Sequence, residues 1–277
     1  MLRPSTPRPR SMRLQYIWRA LVELDAQELD DRLLRRVEQP PNSDAAPPDE
    51  DADGVVVCQA ALADWELFVE RECEMMRTRS FEWRDGWLLA VEGCSRHQRQ
   101  IAGEICWRLS RPTTRDAVLL RERGASFEDD APGRLEPDTS LGPSHTMREW
   151  GVTVPRELKC WASFCTLKVE VAATRRWSDL DRKAEQWRHY AGVQYVLCVV
   201  VTRGFEVMQF RLDAVDKHRR FELPRAEIRA IEGPQTLVRF DSRRLLGLSC
   251  VQPLPPGYAE AMEIDLFEIM QEVMENY

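Results

Sequence analysis

Long apolar runs are missing from this 277-residue chain. Nowhere do 18 apolar residues follow one another, so no membrane-spanning helix and no membrane partner are expected. The basic start, MLRPSTPRPRSMRLQY, lacks the continuous apolar stretch of a secretory signal. Paired cysteine motifs are missing too. Cys58, Cys73, Cys94, Cys106, Cys160, Cys165, Cys198 and Cys250 include no CxxC, and the four histidines stand in no zinc-ligand spacing with them. This disfavours a structural zinc and fits reduced thiols in an intracellular compartment. Internal repeats are absent, and Gln39 to Gly54 (QPPNSDAAPPDEDADG) contains no large apolar residue, as in a flexible linker. The last twenty residues carry Glu260, Glu263, Asp265, Glu268, Glu272 and Glu275 with no Lys or Arg against them.

What is present suits a folded domain with polar tails: 43% hydrophobic and 31% charged residues. The net charge of −7 argues against a uniformly basic nucleic-acid binder. Its distribution is uneven, however. A basic centre runs from Arg77 through Arg115 and again from Lys168 to Arg188, and such a centre binds phosphate even inside an acidic chain. A solvated face is the plain alternative.

Periodicity predicts a helix over 12–37, where Leu14, Ile17, Leu21 and Leu24 recur three or four apart, and a second over 60–76. FEWRDGWLLAVEG reads as a hairpin, because both residues of its Asp85-Gly86 turn favour positive φ. A helix over 97–109 carries the stripe Ile101, Ile105, Leu109. Short strands are expected over 117–120, 134–141 and 166–173, a capped helix from Ser178 or Asp179 to Gly192, and a buried strand over 193–202. A strand over 205–212 completes a hairpin, and a last helix covers 258–274. The fold class is therefore α/β, a mixed sheet flanked by helices. The division is a helical extension (1–38), an acidic linker (39–55), a main domain (56–255) and an acidic C-terminal helix (256–277).

Two residues break their patterns. In LKVEVAA, Leu167, Val169 and Val171 alternate with Lys168, Glu170 and Ala172, so Glu170 shares a face with Lys168. In the helix that follows, Leu180, Ala184, Trp187 and Ala191 form the core-facing stripe, and Lys183 lies within it. Burying an ammonium costs several kcal/mol unless it meets an anion. Glu170 is the anion the neighbouring strand offers, and Asp138, after Pro137, supplies another carboxylate. Two carboxylates and a lysine are what metal-assisted phosphodiester hydrolysis needs: oxygen ligands for a hard cation, and a cationic group beside the reacting water. A structural Lys–Glu pair gives the same sequence pattern.

PD at 137–138, VEVA at 169–172 and DLDRKAEQWRHYAGVQYVLCVV together resemble the PD-(D/E)XK nuclease superfamily, and within it the Uma-type restriction-endonuclease-like family. The likeness covers about residues 78–250 and implies a restriction-endonuclease-like fold. Carried over, it makes Asp138 and Glu170 metal ligands for Mg²⁺ or Mn²⁺, with the Val171 backbone carbonyl as a third. The superfamily's usual lysine position, two after the glutamate, holds Ala172. In the Uma-type pattern the lysine stands on the helix, which points to Lys183, with Lys168 as its rival. His97 falls where that family begins its first core helix, and a solvent-facing helix start is its plain reading. Two features depart from the family: TRRW replaces a Ser-Pro turn, and a segment of roughly 142–162 is inserted before the glutamate.

Arg175 and Arg176 suit contact with backbone phosphate and Trp177 suits base stacking, an ordinary turn being the alternative. The implied partner is nucleic acid, DNA in preference to RNA, with a homodimer expected of enzymes that cut both strands. The competing expectation is a non-catalytic nucleic-acid- or protein-binding module that kept the fold, which Ala172 and the acidic net charge favour. For the nuclease, removing Glu170 is expected to leave stability unchanged or raised, because crowded carboxylates repel. For a core ion pair alone, removing either partner destabilises severely.

Overall fold

The computed structural model describes residues 12–25, 28–29, 31–33, 54–72, 80–91, 96–111, 119–123, 137–173, 177–202, 204–215 and 225–276. They belong to two compact units, which divide between Gly93 and Cys94.

The first unit joins helix α1 (Met12–Val22), strand β1 (Val55–Gln59), helix α2 (Leu62–Glu72) and strands β2 (Phe81–Arg84) and β3 (Trp87–Ala90). The strands form an antiparallel sheet in the order β1-β3-β2. The β2–β3 turn is the predicted one: Asp85 and Gly86 both adopt positive φ, 45° and 91°. β1 was not expected, because it directly follows the linker composition. Leu14, Ile17 and Leu21 of α1 and Trp65, Phe68 and Val69 of α2 are buried at helical spacing. The Trp83 indole N–H donates to the Ala60 carbonyl at 2.7 Å.

In the second unit a six-stranded sheet takes the order β4-β5-β6-β7-β8-β9. Its strands are β4 (Leu120–Glu122), β5 (Thr139–Pro143), β6 (Leu167–Ala172), β7 (Tyr195–Val201), β8 (Met208–Ala214) and β9 (Arg229–Ala230). Only β6 and β7 pair in parallel; the remaining neighbours are antiparallel. A parallel pair needs a crossover, and helix α4 (Trp177–His189) provides it. The alternation of β6 and β7 divides their side chains between two cores. Leu167, Val169, Val171, Leu197, Val199 and Val201 pack with helix α3 (Arg96–Ser110) through Ile101, Ile105 and Leu109. Ala172, Val196, Cys198 and Val200 pack with Leu180, Ala184 and Trp187 of α4. The fold is mixed α/β, with helices on both faces of a mixed sheet.

The C-terminal segment departs from expectation. Ala261–Asp265 is strand β11, antiparallel to β10 (Leu237–Asp241), and only Leu266–Glu275 is helical, as α6. The cross-strand pairs Val238↔Ile264 and Phe240↔Met262 explain it, since they place alternate apolar side chains together, period two rather than 3.6. Asp265 then caps α6, its carboxylate accepting from the Phe267 N–H at 2.9 Å. Arg108 of α3 ties α6 down through Glu268 and Glu272, both at 2.6 Å. Between β11 and β10 in the chain order, the four-residue helix α5 (Ser242–Leu245) follows β10 directly. No helix among the described residues is long and apolar enough to cross a membrane.

Candidate functional site

The site grows from the carboxyl end of β6, where α4 begins. β5 pairs with β6 through Thr139↔Val169, Ser140↔Lys168 and Leu141↔Leu167, and the Asp138 N–H donates to the Val169 carbonyl at 3.1 Å. Here β5 stops. Successive residues of a strand turn their backbone polar groups to alternate neighbours, so Val171, two past Val169, faces the side that β5 has vacated. Buried backbone groups need partners, and side chains provide both. The Asp138 carboxylate accepts from the Val171 N–H at 2.8 Å, and the Gln98 carboxamide of α3 donates to the Val171 carbonyl at 2.8 Å.

Glu170 points the other way, under α4. Its side chain is 1% exposed, and each carboxylate oxygen accepts a hydrogen bond. Lys183 Nζ lies 3.1 Å from Oε2, and the Trp187 indole N–H reaches Oε1 at 2.6 Å. Lys183 and Trp187 are four apart on one helix, so a single face of α4 delivers both donors. Across the sheet Glu170 pairs in register with Cys198, whose thiol is pushed well up by burial and, after that, by the neighbouring carboxylates.

Lys168 shares the face of Glu170 and meets two aromatic rings. Fully buried, its ammonium lies 4.6 Å from the centre of the Trp187 ring and 4.7 Å from that of Tyr190. Two aromatic faces suit a desolvated cation. Lys183 forms an ion pair with Glu170, and Lys168 lies against the Trp187 and Tyr190 rings.

The other predicted residues have contacts of their own. His97 is buried at the start of α3, its ring edge-on to Phe205 with 5.2 Å between centres, which removes the solvent-facing reading. Trp177 donates its indole N–H to Gln209 Oε1 at 2.8 Å and lies under the Arg211 guanidinium at 5.3 Å. That face of the indole is already stacked. Arg175 and Arg176 lie outside the described residues.

Sequence reasoning missed Gln98. The signal was present: Gln98 precedes Ile101 by three and so lies on the stripe of Ile101, Ile105 and Leu109. A buried carboxamide on an apolar stripe must find partners, the argument that singled out Lys183.

The donor set bears on cation chemistry. Among the described residues no group of three or more His, Cys, Asp and Glu side chains is arranged to hold a metal ion. Asp138, Glu170 and the Val171 carbonyl provide hard oxygen donors, two of them anionic. The Val171 carbonyl and both Glu170 oxygens already accept hydrogen bonds, from Gln98, Lys183 and Trp187.

No family model matches the chain. No curated protein matches it either. A solved structure to which it is similar is described as a "putative nuclease belonging to DUF820" from Anabaena variabilis ATCC 29413. The two share 11% identity over 70% of this chain and 92% of the other, with a TM-score of 0.41.

Proposed function

We propose that this chain is a metal-dependent nuclease that hydrolyses phosphodiester bonds of nucleic acid, DNA in preference to RNA. The observation that supports it is one strand end. Asp138 is anchored on the Val171 amide, the residue after Glu170, and Glu170 is paired with Lys183 at 3.1 Å. The residue just before β5 thus meets the β6 backbone one residue past Glu170, and Glu170 meets Lys183 of α4, which supports the reading.

In this reading Asp138 and Glu170 would hold Mg²⁺ or Mn²⁺, which when bound would activate a water and neutralise charge on the phosphate. Asp138 is half-buried, the more accessible of the two carboxylates, and presents the site to solvent. Lys183 supplies fixed positive charge beside the reacting phosphate and orients water there. Trp187 holds Glu170 in one rotamer through its indole N–H. The burial of Glu170 keeps bulk water away and strengthens each of these interactions.

A second reading has its own observation. Both oxygens of Glu170 already receive hydrogen bonds from the protein, and Ala172 stands at the superfamily's usual lysine position. These favour a module that binds nucleic acid or protein without cutting.

The experiment is a cleavage assay of the full chain on single- and double-stranded DNA and RNA, with Mg²⁺, Mn²⁺ or EDTA, beside Asp138→Ala. Metal-dependent cutting that Asp138→Ala abolishes, with the variant folded, supports the nuclease. Binding without cutting under every condition supports the module, and cutting that survives Asp138→Ala refutes the assigned site.

A further inference from the structure

The outer face of α3 is basic. Arg96, Arg99, Gly103, Trp107 and Arg111 are all exposed, and steps of three or four residues put them on one stripe, opposite buried Ile101, Ile105 and Leu109. The Arg111 N–H donates to the Trp107 carbonyl at 2.9 Å, so helical geometry runs on to Arg111. At the helical rise the stripe is about 22 Å long. Glu104, the one acid of α3, is half-buried on its flank, and Arg108 is held by Glu268 and Glu272 of α6.

A solvated helix face accounts for arginines but not for two further features. Trp107 leaves 53% of its surface exposed, with the Arg111 guanidinium 5.0 Å from the centre of its ring. Glycine is a poor residue inside a helix. Nothing in the chain calls for it at 103, since a Cβ there would meet no atom within 4 Å. A missing side chain on an exposed face lets another backbone come close.

We infer that this stripe binds a single strand of nucleic acid. The guanidiniums of Arg96, Arg99 and Arg111 meet its phosphates, the exposed Trp107 indole stacks on a base, and the sugar–phosphate backbone passes over Gly103. A lone indole stacks on a base that has left its own stack, which selects single strands over duplex. Arginine beside the aromatic ring adds to that platform. The face suits an acidic protein less well, because it offers none of the repeated apolar anchors by which a helix docks on a protein. The inference takes from the proposed function only that the ligand is nucleic acid, and it needs neither a metal nor the Asp138, Glu170 and Lys183 site.

Fluorescence anisotropy of the full chain in EDTA reads binding without cutting. The probes are a labelled oligothymidine of about 20 residues, long enough for a typical single-strand site, a labelled DNA duplex of that length and labelled poly-glutamate. The wild type is expected to prefer the oligothymidine, with a log–log salt slope of about −2 for three phosphates. Trp107→Ala should bind at least about fivefold more weakly with the slope unchanged, and Trp107→Phe should recover most of the loss. Arg96→Gln combined with Arg99→Gln should flatten the slope to less than half, and this variant carries the test if Trp107→Ala does not fold. Equal binding by wild type and these variants overturns the inference, as does a preference for duplex. Poly-glutamate bound as tightly as the oligothymidine overturns it too, the face then taking any acidic chain. A wild type that cuts with metal but whose binding ignores these substitutions sinks the inference and leaves the nuclease reading standing. Binding through the stripe without cutting in any metal does the reverse.

Discussion

Lys183 and Glu170 form a buried ion pair, Nζ to Oε2 at 3.1 Å, with the two side chains only 3% and 1% exposed. Neither charge is tolerable there alone. Glu170→Ala removes the acceptor of both the Lys183 ammonium and the Trp187 N–H, so a loss of about 3–5 kcal/mol in urea unfolding is expected. Because Trp187 adds its bond, this loss is expected whichever function the site serves. The sequence-based expectation of unchanged stability gives way, and Glu170 stability no longer separates the readings. Glu170→Gln combined with Lys183→Met should lose less than the two single losses together, as a double-mutant cycle measures.

Asp138 separates them better. It is half-buried, and its carboxylate accepts from the Val171 N–H. Asp138→Ala should lose about 1–3 kcal/mol, remain folded by circular dichroism, and show no metal-dependent cutting. EDTA on the wild type should abolish cutting in the same assay, and added Mg²⁺ should restore it.

The two lysines make opposite predictions. Lys183→Ala should abolish cleavage, whereas Lys168→Met should preserve it and lose about 0.5–2 kcal/mol of cation–π stabilisation. Single-turnover cleavage and thermal melting of both variants check the contrast. Activity lost in Lys168→Met at unchanged melting temperature would transfer the catalytic role to Lys168.

Gly142 sits where β5 meets the inserted segment, and a Cβ there would collide with the Phe164 carbonyl oxygen. Backbone cannot yield as a flexible side chain can. Gly142→Ala should lose about 1–3 kcal/mol or more in chemical unfolding, although position 142 takes no part in the proposed chemistry.

Cys160 is exposed, and its thiol is held below the usual range by the Ser163 hydroxyl, by the backbone of Ser163 and Ala162, and by nearby Arg123. Cys106, by contrast, is pushed up to about 11 by burial and by Glu122. The thiolate is the reactive form, so iodoacetamide should label Cys160 first among the six described cysteines. Its labelling rate should reach half-maximum below the pH of a free thiol. Peptide mass spectrometry over a pH series reads both.

Local order was legible without coordinates. The Asp85-Gly86 hairpin follows from positive-φ preference, and the faces of β6 and α4 follow from periods of two and 3.6. Those periods placed Lys168 and Glu170 on one face and Lys183 on a core-facing stripe. What periodicity does not carry is distance between elements. The tertiary structure decided that Lys183 meets Glu170 and that Lys168 lies against Trp187 and Tyr190. It also decided that β5 pairs β6 only as far as Val169, and that Gln98, 73 residues away along the chain, meets the Val171 carbonyl beyond it. The same holds for β11, whose helix-like composition yields to its pairing with β10. A residue's own neighbours fix which way its side chain points. Which group stands opposite depends on how separate elements pack, and that is set by the whole chain at once.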